Sequence, residues 1–235
     1  MDGQPPSPYS HAGMISEEPL TLVVGTDVAL EARLAVPSGA TAGVVLCHPH
    51  PLYGGDMDNP VVVRVHEVCA AQGLATLRFN FRGVAGSSGS HAGGVGEQED
   101  ARAALDALAQ KVGTAALAIA GYSFGAWVAA LVGCRDARVR GLALIAPPLG
   151  LYDFDCLEGK RVPTLVVGGT ADPYCPSADF QGFTARFPWV TPAVIDGADH
   201  FFFGKLYPLG EAVGAWARRL PMEAGEPQGS IWESS

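Results

Sequence analysis

Three short stretches of this 235-residue chain hold residue types that can cleave an acyl bond. The first is Gly121-Tyr122-Ser123-Phe124-Gly125, a G-x-S-x-G motif. A serine hydroxyl is a weak nucleophile until a base takes its proton and the backbone lifts it clear of its neighbours. A strained strand-to-helix turn does the lifting, and glycines two residues to either side are needed because a Cβ there would strike the adjoining strand or helix. The second stretch is Gly168-Gly169-Thr170-Ala171-Asp172-Pro173 and the third Asp196-Gly197-Ala198-Asp199-His200-Phe201. Of the 6 histidines, His200 alone lies late enough in the chain to serve as the base. Asp172 is the acid expected to fix its tautomer and to stabilise the imidazolium. Asp199 adjoins His200, and side chains that follow one another in sequence rarely reach each other's ring nitrogens usefully, so Asp172 is preferred.

Acyl transfer also needs two N–H donors aimed at the oxygen on which charge develops. The amide of Phe124, directly after the serine, is one. The other is expected from the loop His48-Pro49-His50-Pro51-Leu52-Tyr53-Gly54-Gly55. Proline has no N–H, which leaves His50 as the nearest donor, with Leu52 and Tyr53 in reserve. His48-x-His50 has no cysteine or carboxylate cluster at ligand spacing beside it, so no metal site is assigned. Tyr53, Trp127, Tyr174 and the run Phe201-Phe202-Phe203 are candidates to line a substrate pocket, though each could equally pack the core. Gly83-x-x-Gly86-x-x-Gly89 fits neither phosphate-loop spacing and reads as a turn.

These groups must be held by a scaffold. Leu20–Val24 and Val28–Val36 flank Gly25-Thr26-Asp27 and form an expected antiparallel hairpin. Thereafter short apolar runs follow at Gly43–Cys47, Leu74–Phe79, Ala116–Ala120, Leu142–Ala146, Thr164–Val167 and Thr191–Ile195. Runs apolar on both faces suit a parallel sheet covered on each side. Helices are expected at Pro60–Ala71, Glu97–Lys111, Ala126–Val132 and Lys205–Leu220, and their alternation with strands predicts an α/β fold. The apolar span from Val112 to Cys134 is long enough to cross a bilayer, but the glycines around Ser123 break it into a strand, a turn and a helix.

Composition agrees with one large domain. Hydrophobic residues make up 48% and charged residues 17%, which is ample for one core. A net charge of −9 without a dense basic stretch excludes a nucleic-acid footprint. Cys47, Cys69, Cys134, Cys156 and Cys175 are odd in number and lack a C-x-x-C pair, so they read as reduced thiols. The first residues have neither basic nor apolar signal regions, and a cytoplasmic protein is expected. Residues 1–14 and 222–235 read as flexible tails around a domain at 15–221.

Taken together, the three stretches in the order Ser, Asp, His resemble the α/β-hydrolase superfamily over nearly the whole ordered length. The His-Pro-His-Pro…Gly-Gly loop is most similar to small bacterial members without a cap, broadly like dienelactone hydrolases. Arg78-Phe79-Asn80-Phe81-Arg82-Gly83-Val84-Ala85-Gly86-Ser87-Ser88 resembles the superfamily's Arg-Gly-x-Gly-x-Ser loop with one spacer residue changed, where Arg82 is expected to be architectural. The resemblance implies a mostly parallel eight-stranded sheet, a Ser123–His200–Asp172 triad and no cofactor. Dienelactone hydrolases use a cysteine nucleophile, so Ser123 favours ordinary esters or thioesters as small-molecule substrates. Peptidase or acyltransferase chemistry uses the same machinery, and a non-catalytic binding protein is the rival of another class; a homodimer is left open. The connection Pro147–Arg161 is too short for a cap domain, which leaves an open cleft and an expected preference for short acyl groups.

Overall fold

In the computed structural model, which describes residues 16–40, 42–113 and 116–220, the strands are β1 (Glu18–Val24), β2 (Val28–Ala35), β3 (Ala42–Cys47), β4 (Ala75–Phe79), β5 (Ala116–Tyr122), β6 (Val139–Ile145), β7 (Thr164–Gly169) and β8 (Val190–Ile195). They form one sheet in the order β1-β2-β4-β3-β5-β6-β7-β8. β1 and β2 are antiparallel, β2 meets β4 antiparallel, and every later pairing is parallel. The tails expected at 1–14 and 222–235 lie outside the described residues.

The helices are α1 (Pro60–Ala71), α2 (Val95–Val112), α3 (Phe124–Arg135), α4 (Ser177–Arg186) and α5 (Leu206–Ala217). α1 starts where its sequence says it should: Asn59 accepts the Val61 N–H at 3.0 Å, and Pro60 occupies the first turn, where no N–H is needed. One face of the sheet buries Leu105, Leu108, Val128, Val132 and Phe180 from α2, α3 and α4. The other buries Val61, Val65, Leu209, Val213 and Trp216 from α1 and α5. Central strands β3 and β5 are buried at every residue, which is why their sequences carry no polar alternation.

Two expectations need correction. β8 is an edge strand with Thr191, Pro192 and Val194 exposed, not a strand buried on both faces. Pro192 carries the reason: it has no N–H for a further neighbour, and proline in a strand belongs at an edge. The helix α4 was absent from the sequence expectations, because its surface is polar and only Phe180 is buried.

Two features of the fold prepare the site. The chain reverses direction in the sheet around β3, with β4 on one side and β5 on the other. The helices after β3 and β5 therefore pack on opposite faces, and the loops leading into them part to leave a crevice at the carboxyl ends. In addition, the connection between β6 and β7 holds only a 3-10 turn at Asp155–Gly159, so among the described residues no cap domain covers that crevice. Among the described residues no helix is long and apolar enough to cross a membrane; within the span Val112–Cys134, Val112 ends α2 and Ala116 to Cys134 fall in β5, the turn at Ser123 and α3.

Candidate active site

Ser123 stands between the last residue of β5 and the first of α3, with φ +56°. That conformation costs a serine about 1–3 kcal/mol, and the surrounding backbone enforces it. Its N–H donates to the Ile145 carbonyl at 2.9 Å, while its own carbonyl accepts the Ala126 N–H at 2.9 Å. The flanking glycines are dictated by backbone, not side chains. A Cβ on Gly121 would lie 2.0 Å from the Gly125 carbonyl oxygen, and one on Gly125 would lie 2.3 Å from that of Cys47. The tight crossing of turn and strand admits no methyl group at either place.

The loops after β7 and β8 bring Asp172 and His200 to this turn. His200 Nδ1 is 2.8 Å from Asp172 Oδ2, and His200 Nε2 is 2.9 Å from Ser123 Oγ. The carboxylate side chain is wholly buried, and its second oxygen accepts the N–H groups of Tyr174 at 2.8 Å and Cys175 at 3.2 Å. A carboxylate only accepts, so the imidazole proton sits on Nδ1 and Nε2 is free to accept from the serine hydroxyl. Asp199 is occupied elsewhere, with its Oδ1 accepting the N–H groups of Phe201 and Phe203 at 3.1 and 3.2 Å. Tyr122 escaped notice in the sequence although it lies within the motif. Its hydroxyl donates to the His200 carbonyl at 2.8 Å and pins the histidine's backbone to β5.

Within the loop after β3, the reserve donors are spent. The Leu52 N–H donates to His50 Nδ1 at 3.2 Å, and the N–H groups of Tyr53 and Gly55 both donate to the His50 carbonyl at 3.1 Å. The N–H groups of Phe124 and His50 have no acceptor among the described residues, and both residues line the cavity that holds Ser123. His48 cannot serve a metal, since both its ring nitrogens are held by backbone: Nδ1 lies 2.6 Å from the Pro49 carbonyl oxygen and Nε2 accepts the Phe81 N–H at 2.9 Å.

That cavity has a volume of about 360 Å³, and Tyr53, Tyr174 and Phe201 line it. Trp127 does not; it stands one helical turn behind Ser123, where its ring stacks on Tyr152 at 4.5 Å and 19° and Tyr152 takes the lining position. The sequence signal for Tyr152 is weak, because it lies in a loop without a motif. Of the phenylalanine run, Phe202 is fully buried in the core, and Phe203 is exposed and does not line the cavity. Arg82 is bound to Asp100 at 2.7 Å and to Glu99 at 3.1 Å, on a carboxylate that is itself buried. It braces the β4 loop against α2.

An uncapped, mostly parallel sheet that presents a serine at a strand-to-helix turn, with histidine and aspartate on the following strand ends, defines the α/β-hydrolase fold. The chain belongs to this family: the model described as alpha/beta hydrolase domain matches residues 40–206. It is 36% identical over 200 residues to an uncharacterized protein of Rickettsia prowazekii, spanning 80% of this chain and 84% of that one. An alpha-beta serine hydrolase homologue from Coxiella burnetii superposes with a TM-score of 0.79 at 34% identity, covering 87% of this chain and 99% of the other. A serine hydrolase without lid from Xanthomonas campestris matches with a TM-score of 0.79 at 31% identity, covering 86% and 94%. Family and neighbours together support hydrolase activity.

Proposed function

We propose that the chain hydrolyses carboxylic esters or thioesters through an acyl-enzyme. The observation that carries this is the continuous line of hydrogen bonds from Asp172 through His200 to Ser123, ending at a cavity whose lining among the described residues includes no Lys, Arg, Asp or Glu. His200 takes the Ser123 proton as Oγ attacks the acyl carbon, and the carbonyl π pair moves onto oxygen as an oxyanion held by the N–H groups of Phe124 and His50. As the carbonyl re-forms, the bond to the leaving oxygen or sulfur breaks, His200 gives that atom the proton, and the acyl group stays on Ser123. Water, activated by the same histidine, releases the acid and restores the serine. The open cleft admits that water freely, which favours hydrolysis over transfer to another acceptor. Among the described residues no cation lines the cavity, which also disfavours substrates whose recognition needs a carboxylate.

The test is covalent labelling. A fluorophosphonate should add once, at Ser123, because only an activated serine attacks phosphorus readily. Ser123→Ala should abolish the adduct and lower turnover of p-nitrophenyl esters by about 10⁶. An unlabelled protein without ester turnover would instead be a binding protein on this fold.

A further inference from the structure

Loops after β3, β6, β7 and β8 each turn an apolar side chain to solvent beside Ser123. Tyr53, Leu151, Phe201 and Phe203 are all more than half exposed, and Tyr174 nearly so. Single exposed apolar residues are ordinary, but several of them gathered around one cavity mark a surface that something covers. These side chains are also arranged relative to one another. Tyr174 and Phe201 meet His200 edge-on with centroids at 4.8 and 5.7 Å, and Phe203 continues from Phe201 at 5.7 Å. Across the serine, Tyr53 lies 4.8 Å from His50, and Tyr152 is backed by Trp127.

We infer that the substrates are uncharged esters carrying an aromatic ring, which seats between these two aromatic arms; this rests on the serine-esterase reading. Size is the first argument. A cavity of about 150 Å³ holds a benzene ring, and this one, at about 360 Å³, has room for a ring and a short ester linkage. A bare acetyl group leaves most of its walls wet. Geometry is the second. Rings at the mouth of the cavity offer their edges and faces to another ring at the usual centroid spacing, each pair contributing about 2- to 12-fold in affinity. Charge is the third. A carboxylate entering here loses hydration and meets no cation among the described residues that line the cavity. The short-acyl preference expected from the missing cap therefore gives way, because the collar supplies the remote contacts that a cap would otherwise make.

The test compares kcat/KM, corrected for intrinsic reactivity, for methyl acetate, benzyl acetate, methyl 3-phenylpropanoate, its cyclohexyl counterpart and its para-carboxylate. At least one aromatic ester should exceed methyl acetate by about tenfold or more and its cyclohexyl counterpart by about threefold, as expected for ring pairs. The para-carboxylate should fall at least tenfold below the parent. Tyr53→Ala and Tyr152→Leu should each reduce the aromatic-to-methyl ratio, with thermal melts of each variant reporting on folding. Methyl acetate equal to both aromatic esters overturns the inference. So does a dimer in sedimentation that Leu52→Ser and Phe203→Ser dissociate without changing the ratio, since the collar would then face a second copy. Should no ester be turned over, the hydrolase reading fails by itself. Calorimetry of Ser123→Ala with methyl 3-phenylpropanoate against methyl acetate still decides this one: tighter binding of the aromatic ester sustains it, and equal binding overturns it.

Discussion

The imidazole of His48 and the backbone of Phe81 are locked together with a single possible arrangement of protons. The Phe81 N–H can only donate and meets Nε2, while the Pro49 carbonyl can only accept and faces Nδ1, so the ring is neutral with its proton on Nδ1. This ties the loop carrying His50 to the end of β4, and the side chain is fully buried beneath both.

Acid should therefore loosen this tie. Burial, the largest cause, together with the nearby His50 pushes the His48 pKa down from 6.5 to about 4, against the pull of the Pro49 carbonyl and Glu97. Between those values the unfolded chain binds more protons than the folded one, so stability is present above pH 6.5 and is lost as pH falls towards 4. The expected loss is about 2 kcal/mol at pH 5 and about 3 kcal/mol at pH 4. Urea midpoints of wild type and His48→Gln across pH 4–7 measure it. Parallel pH profiles in the two proteins would remove His48 from the account.

Ser123→Gly should make a more stable, inactive protein. Glycine adopts φ +56° without the penalty a serine bears, although its unfolded chain gains entropy and the hydrogen bond to His200 is lost. The net gain expected is about 1 kcal/mol in urea unfolding. A loss of stability would mean the turn is not strained in solution.

The glycines beside it should behave in the opposite way. Gly121→Ala and Gly125→Ala force a methyl group against backbone that cannot rotate aside, and each should cost about 3 kcal/mol or more. Thermal melts of the two variants, with Gly182→Ala as a control where a Cβ meets nothing within 4 Å, give the comparison.

Two aspartates near His200 should separate cleanly. Asp172→Asn turns an amide towards Nδ1 and favours the wrong tautomer, at a cost of about 10⁴ in turnover. Asp199→Asn keeps an oxygen for the Phe201 and Phe203 amides and should retain most activity. A crippled Asp199→Asn beside an active Asp172→Asn would reverse the assignment of the acid.

Much of this was legible in the chain because local chemistry dictates it. Asn59-Pro60 announces α1, and the unbroken apolar runs of β3 and β5 announce a sheet covered on both sides. The spacing of Ser123, Asp172 and His200 reflects three loops at successive strand ends, and a strand end is easy to locate. What escaped depends on partners far away in sequence or on surroundings with no pattern. The donor to His48 Nε2 lies 33 residues onward. Trp127 and Tyr152 exchanged places in the cavity wall because a ring's direction follows from packing, not from residue type. α4 rests on a single buried phenylalanine, too little to leave a periodic signature. Pro192 did signal an edge strand, and the hydrophobicity of its neighbours obscured it.

The serine and histidine that meet at 2.9 Å are separated by 77 residues of chain. A ribosome adding about 5–20 residues per second makes the turn at Ser123 several seconds before His200 leaves the tunnel. On the proposed mechanism, the nascent protein carries an unactivated hydroxyl, which esters cannot acylate, until β7 and β8 join the sheet. Reactivity would then arrive with the last strand, so that every reactive molecule is one that has already completed its sheet.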